Sequence, residues 1–209
     1  MKDTSGTKVL GRTSAKRLGL VLVPSLAAVG ILGGMMANGA LASSFAVSGQ
    51  EFHLTAASLS GSGFDQFGST VTISANGQTI PVAISAFKTA NISNLCQSVQ
   101  TPVDVPGFDH TVWMVLKADS ASATGLIIDM QQLKAGTADF TNINIGQDAS
   151  TLDQGLAGAQ GQPGLFGQQA DKATLTNVDQ VANTTNAGDF TLNGMSLSLQ
   201  IDGTDPCGS

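Results

Sequence analysis

The sequence has no tyrosine, a single tryptophan (Trp113) and a single glutamate (Glu51). Aromatic residues make up 5% of it and charged residues 11%, so its core must come from Val, Ile, Leu and Phe and its surface from small polar side chains. With one glutamate and no distinguished pair among the aspartates, nothing marks the two facing carboxylates of a glycosidase. Two cysteines and two histidines (His53, His110), far apart in the chain, give no zinc-ligand spacing. The G-x-S-x-G elbow of serine hydrolases is missing. Its nearest approximation, Gly194-Met195-Ser196-Leu197-Ser198, lacks the last glycine and lies in an alternating, strand-like run. No glycine-rich segment has the strand–loop–helix context of a dinucleotide or phosphate cradle, and no calcium-loop spacing occurs. Asp202-Gly203-Thr204-Asp205 reads as a polar turn before Cys207. The sequence therefore names no catalytic residue, no metal ligand and no cofactor.

Charge is divided between the ends. Residues 1–42 hold Lys2, Lys8, Arg12, Lys16 and Arg17 against Asp3, leaving 4 basic and 14 acidic residues, a net of −10, for the rest. A domain so acidic repels phosphates, which excludes nucleic acid as a partner. Directly after Lys16-Arg17 comes an uncharged, mostly apolar stretch of 19 residues, Leu18–Met36, and then Ala40-Leu41-Ala42, an A-x-A site. The basic flank stays in the cytoplasm and directs the remainder of the chain outward. Residues 1–42 read as a cleaved signal peptide, with Ala40 and Ala42 framing the cut, or as a retained membrane anchor, since 19 residues just span a bilayer core of ~30 Å. Residues 43–209 are then an exported domain. Its two cysteines, Cys96 and Cys207, are expected to form a disulfide, worth roughly 4 kcal/mol in the chain-entropy account.

The exported part is patterned for strands. In residues 69–85, Asn76-Gly77 predicts a two-residue hairpin turn. That places Ile73 opposite Ile80 and Val71 opposite Val82, all on one face, with Pro81 beside a free edge. Residues 189–202 alternate with a phase change at Gly194, read as a bulge. Residues 45–56 alternate similarly about Gly49, with His53 facing solvent, and further strands are expected over 111–117 and 125–133. A motif A-x-Φ-[ST]-N-Φ occurs at Ala90–Leu95, Ala138–Ile143 and Ala173–Val178, and its first and third copies continue to a shared glutamine, Gln97 and Gln180. It predicts one recurring kind of strand, Φ inward and Asn near a bend. Residues 146–170 hold six glycines and several glutamines and read as a long loop. Leu165 and Phe166, between glycines, are its candidate apolar lid.

Four segments, residues 11–52, NISNLCQSV, LFGQQADKATLTNVDQ and FTLNGMSLSL, resemble an actinobacterial family of unknown function. Its members are exported or membrane-associated, and many carry the automatic label "cholesterol esterase". The likeness covers nearly the whole chain. It implies a lipid-related role and supplies no catalytic residue.

The expected fold is all-β: a curved antiparallel sheet, sandwich or open barrel of about eight to ten strands. The leading functional expectation is an exported cell-envelope protein that binds or carries a hydrophobic ligand such as a lipid. A structural or interaction protein of the cell surface is the alternative, and a lipid esterase the second alternative.

Overall fold

A computed structural model describes residues 46–47, 50–74, 76–101 and 110–208. The apolar segment 18–36, residues 1–42 as a whole and the Ala40/Ala42 site lie outside the described residues. All described residues belong to the compact unit Gly39–Ser209. Among them no helix is long and apolar enough to cross a membrane.

Among the described residues nine strands form one sheet: β1 (Ala46–Val47), β2 (Phe52–Ile73), β3 (Thr79–Thr101), β4 (Val112–Lys134), β5 (Thr137–Thr141), β6 (Asn144–Asp148), β7 (Phe166–Asn186), β8 (Asp189–Asn193) and β9 (Ser196–Ile201). Pairing is antiparallel except where β1 runs parallel to β2. Four strands exceed 20 residues, against five or six for an ordinary strand. They follow one another β2-β3-β4-β7, and Val178–Ala182 of β7 pairs back onto Phe52–Ala56 of β2. The long strands thus curl into a ring, which accords with the expected curved antiparallel sheet. The two strands expected over 111–117 and 125–133 are parts of the single strand β4.

Strands this long must bend, and the repeated motif shows how. Asn94, Asn142 and Asn177, the asparagines of the three copies, have φ of 50°, 54° and 48°. Left-handed backbone is costly for most residues and is tolerated by asparagine. One such residue within a strand rotates the pleat, so the next inward side chain comes three positions on instead of two. Ile92 and Leu95 flank Asn94, Leu175 and Val178 flank Asn177, and all four lie in the inner apolar cluster. Phe140 and Ile143, flanking Asn142, pack half-buried against it. Pairing register is the same on both sides of Asn94, with Thr55 opposite Cys96 and Ser58 opposite Ser93. The asparagine is therefore a kink, not an insertion. Gly194 (φ 64°) does the same between β8 and β9, whose register against β4 is continuous, so the expected bulge there is a kink as well. Because Asn94 is exposed, Asn94→Val is expected to cost about 1–2 kcal/mol through the backbone alone, and Asn94→Gly a few tenths. Equal losses in urea unfolding would place the effect elsewhere.

The β2–β3 hairpin corrects the sequence reading. Val71 pairs with Ile80 and Ser69 with Val82, two residues off the predicted register. The Ile73 amide donates to the Gln78 carbonyl at 2.8 Å and the Gly77 amide to the Ile73 carbonyl at 2.8 Å, closing a four-residue loop. Gly77 has φ 69°, but the loop spans four residues, so the predicted two-residue turn does not form. A slip of two preserves parity, which is why Val71, Val82, Ile73 and Ile80 still share an apolar cluster. Pro81 lies before Ala83, where pairing with β4 begins, leaving its missing N–H without a ladder partner to lose.

The glycine- and glutamine-rich loop is shorter than expected, residues 149–165, because β6 ends at Asp148 and β7 starts at Phe166. It is a plug over the outer face of the sheet. Ala149 and Leu152, both fully buried, join Phe67, Val71, Val82 and Ile84 in a second cluster. Glycine is required where the loop touches the sheet: a Cβ on Gly155 would sit 2.5 Å from the Asp65 carboxylate, and one on Gly161 2.9 Å from the Phe67 ring.

Candidate functional site

The inner face of the ring mixes Phe, Leu, Ile and Met with alanines, among them Ala90, Ala118, Ala121, Ala123, Ala170, Ala173 and Ala182. Two cavities open from this face, of about 240 Å³ and about 490 Å³. The smaller cavity lies among Leu59, Phe64, Phe87, Ile128, Met130 and Phe140 and reaches the surface beside the exposed Leu133 and Ala138 of the β4–β5 turn. The larger lies among Phe52, Leu54, Ile92, Leu95 and Leu126 and reaches the surface at Asn186–Phe190. Leu59, Ile128 and Gln180 line both, so the two meet at one place. Among the described residues no charged residue lines either.

Gln180 is turned inward by the Asn177 kink, in phase with Val178 and Ala182. It pairs across the ladder with Leu54 on one side and Leu133 on the other, is 1% exposed, and its Nε2 has no hydrogen-bond partner among the described residues. A buried donor left unpaired costs about 1–3 kcal/mol. The other polar groups of the smaller cavity are satisfied: Gln66 Nε2 donates to Ser85 Oγ at 2.8 Å, and Gln168 Nε2 donates to Gln66 Oε1 at 2.5 Å. Gln97, the matching glutamine of the first motif copy, also lines the larger cavity, opposite Leu54. The glutamine shared by the two motif copies was thus the sequence signal for this site. Nothing in the sequence revealed that its amide would be buried.

On the outer face, the C-terminal tail turns back at Asp202 and Gly203 (φ 58° and 92°) and crosses to β3, where Cys207 is bonded to Cys96 with their Cα atoms 5.6 Å apart. This is the expected disulfide. The tail brings Asp205 to His53, which is half-buried and not solvent-facing as its alternation predicts. His53 Nδ1 lies 2.9 Å from Asp205 Oδ2 and Nε2 lies 2.6 Å from Asp179 Oδ1. The Ser98 hydroxyl donates to Asp205 Oδ1, and Lys134 Nζ stands 3.9 Å from Asp179. Both imidazole nitrogens face carboxylates and the serine hydroxyl is aimed at Asp205, so His53 is not placed to draw a proton from Ser98. An adjoining pocket of about 510 Å³ includes Glu51, Gln100 and Trp113. The arrangement is a clasp for the tail. His110 is exposed and sits 2.7 Å from Asp202.

Burial lowers the His53 pKa, but the hydrogen bonds and charges of Asp179 and Asp205 more than offset it, leaving it above the ordinary value of 6.5. Stabilisation from this imidazolium is complete below pH 6.5 and is lost as pH rises through the raised value. For Asp205, burial pulls upward, and hydrogen bonds from Ser98 and the Cys207 amide with the His53 charge prevail, holding it below 3.8. Its share is lost only in stronger acid. Hydrogen exchange of residues 203–208 is therefore expected to quicken as pH rises above 6.5 beyond the intrinsic base-catalysed increase, and the excess to vanish in His53→Asn. An excess retained in that variant would assign the titration to another group.

Leu165 and Phe166, the candidate lid, are exposed, Phe166 at 59%. They border an outer groove of about 650 Å³ with Phe67, Pro81, Val82 and Gln162, and they line neither inner cavity. The inner face itself continues onto β9. Leu116, Met114 and Val112 of β4 stand opposite Leu197, Leu199 and Ile201, which are largely exposed, Leu199 at 71%. Among the described residues no group of three or more His, Cys, Asp or Glu is arranged to hold a metal ion.

The chain belongs to a family of unknown function (DUF6230), which matches residues 48–208. No curated protein and no solved structure matches it.

Proposed function

We propose that this member of a family of unknown function is an exported envelope protein whose domain binds an apolar ligand, such as a lipid, inside its curved sheet. The observation that carries the reading is a pair of adjoining cavities on the inner face, walled by Leu, Ile and Phe with amides such as Gln97, Gln180, Asn183 and Asn186 on the larger one, and with no charged side chain among the described residues. Binding sites are concave, mostly apolar and roughly 300–1,000 Å³, and apolar cavities stay dry and take up apolar guests. Export is supported by the basic-then-apolar start with its A-x-A site, and by the Cys96–Cys207 bond, which persists in oxidising compartments. In this reading the His53 clasp and the disulfide hold the ring in shape, and ester hydrolysis is not part of it.

The test is capture of N-phenyl-1-naphthylamine, a dye that brightens in apolar sites, by the full chain. Saturable binding at about one dye per chain is expected. Fluorescence that never saturates, or its absence, would remove the reading. A surface interaction protein is the second reading, favoured by the exposed stripe Leu197, Leu199 and Ile201 on an edge strand. It requires that serine at these three positions abolish partner capture and leave dye binding intact.

A further inference from the structure

Gln180 narrows the chemistry of the ligand. We infer that the interior takes an uncharged, two-armed apolar molecule with a hydrogen-bond-accepting oxygen near its middle, a long-chain ester or ketone, whose oxygen docks on Gln180 Nε2. The inference rests on the proposed apolar site and goes on to its specificity.

Three features carry it. The amide is 1% exposed and its Nε2 is unpartnered, so an apolar guest without an acceptor leaves the donor unsatisfied, whereas an oxygen placed there pairs it. Among the described residues the cavity walls carry no Lys, Arg or His, so a carboxylate or phosphate would be buried there without a counter-charge; that disfavours fatty acids and phospholipid headgroups. Gln180 also stands where the cavities meet. One opens at the β4–β5 turn and the other at the β7–β8 turn. A ligand anchored at Gln180 can run one arm into each, which places its oxygen in mid-chain and not at an end.

The experiment is displacement of N-phenyl-1-naphthylamine from the full chain by three molecules of similar length delivered from cyclodextrin: decyl decanoate, heneicosane and eicosanoic acid. The ester is expected to displace the dye at roughly tenfold lower concentration than the hydrocarbon, the factor that one hydrogen bond supplies. The ionised acid should be the weakest. In Gln180→Leu the ester loses its advantage while heneicosane binds as well as before or better. Gln180→Met, closer in length, makes the same comparison with a second apolar side chain. Equal displacement by ester and hydrocarbon in the unaltered protein, an ester advantage that survives both variants, or a preference for the acid would overturn the inference while leaving an apolar site. Failure of the dye itself to bind would overturn the site, and the inference with it.

Discussion

Replacing Cys96 and Cys207 together with serine is expected to lower the unfolding free energy by about 4 kcal/mol. The bond closes a span of 111 residues, and the entropy withheld from the unfolded chain grows with the logarithm of that span. It also ties the tail carrying Asp205 to β3, so the variant should lose part of the Ser98–Asp205–His53 clasp. Urea unfolding of the paired serine variant against the oxidised protein measures the effect. A loss under about 1 kcal/mol would mean that the tail's packing alone holds it in place. It would also make the clasp, and not the covalent bond, the device that secures the C-terminus.

The other large effect is expected at Leu59. Its side chain is buried and lines both cavities, so Leu59→Trp puts an indole where the arms of a ligand would pass. Capture of the naphthylamine dye should fall by at least tenfold. Overpacking a filled core typically costs about 1–3 kcal/mol, but here the added atoms enter an empty volume. The unfolding midpoint should therefore hold or rise, which separates a blocked site from a damaged fold. If Leu59→Trp is folded and still captures dye, the ligand lies elsewhere. The outer groove is then the place to test, with serine at Leu165 and Phe166; if that pair leaves capture unchanged while Leu59→Trp removes it, those residues are not a lid.

Much of the fold was legible because strand patterning is local. The alternation of residues 189–202, its phase change at Gly194 and the inward Φ positions are facts about neighbouring residues, and the structure keeps each of them; the phase change expected at Gly49 lies outside the described residues. The A-x-Φ-[ST]-N-Φ motif encodes the kink directly: its three-residue step between apolar positions records a pleat that a left-handed asparagine has turned. The two-residue slip of the β2–β3 hairpin was not legible. Asn76-Gly77 suits the short turn, and a slip of two leaves every side chain on its own face, so hydrophobic pattern could not choose between registers. The candidate site was legible only in part. His53 alternates with core residues as a solvent-facing side chain would, and its partners Asp179 and Asp205 are more than a hundred residues away. Leu165 and Phe166 stood out as the apolar pair of the glycine-rich loop, yet the loop is seated by Leu152 and Ala149. Whether an inward face is full or hollow depends on how tightly the sheet curls, a property of the whole ring.

The most direct test of a hollow, ligand-binding interior is made on the protein purified without detergent from its native host, with Leu59→Trp purified in parallel. Both are extracted with organic solvent and examined by mass spectrometry. The account predicts an uncharged lipid near one per chain in the unaltered protein and its absence from the variant. A folded protein, oxidised at Cys96 and Cys207 and free of any lipid, or one whose lipid is equally abundant in Leu59→Trp, would contradict it.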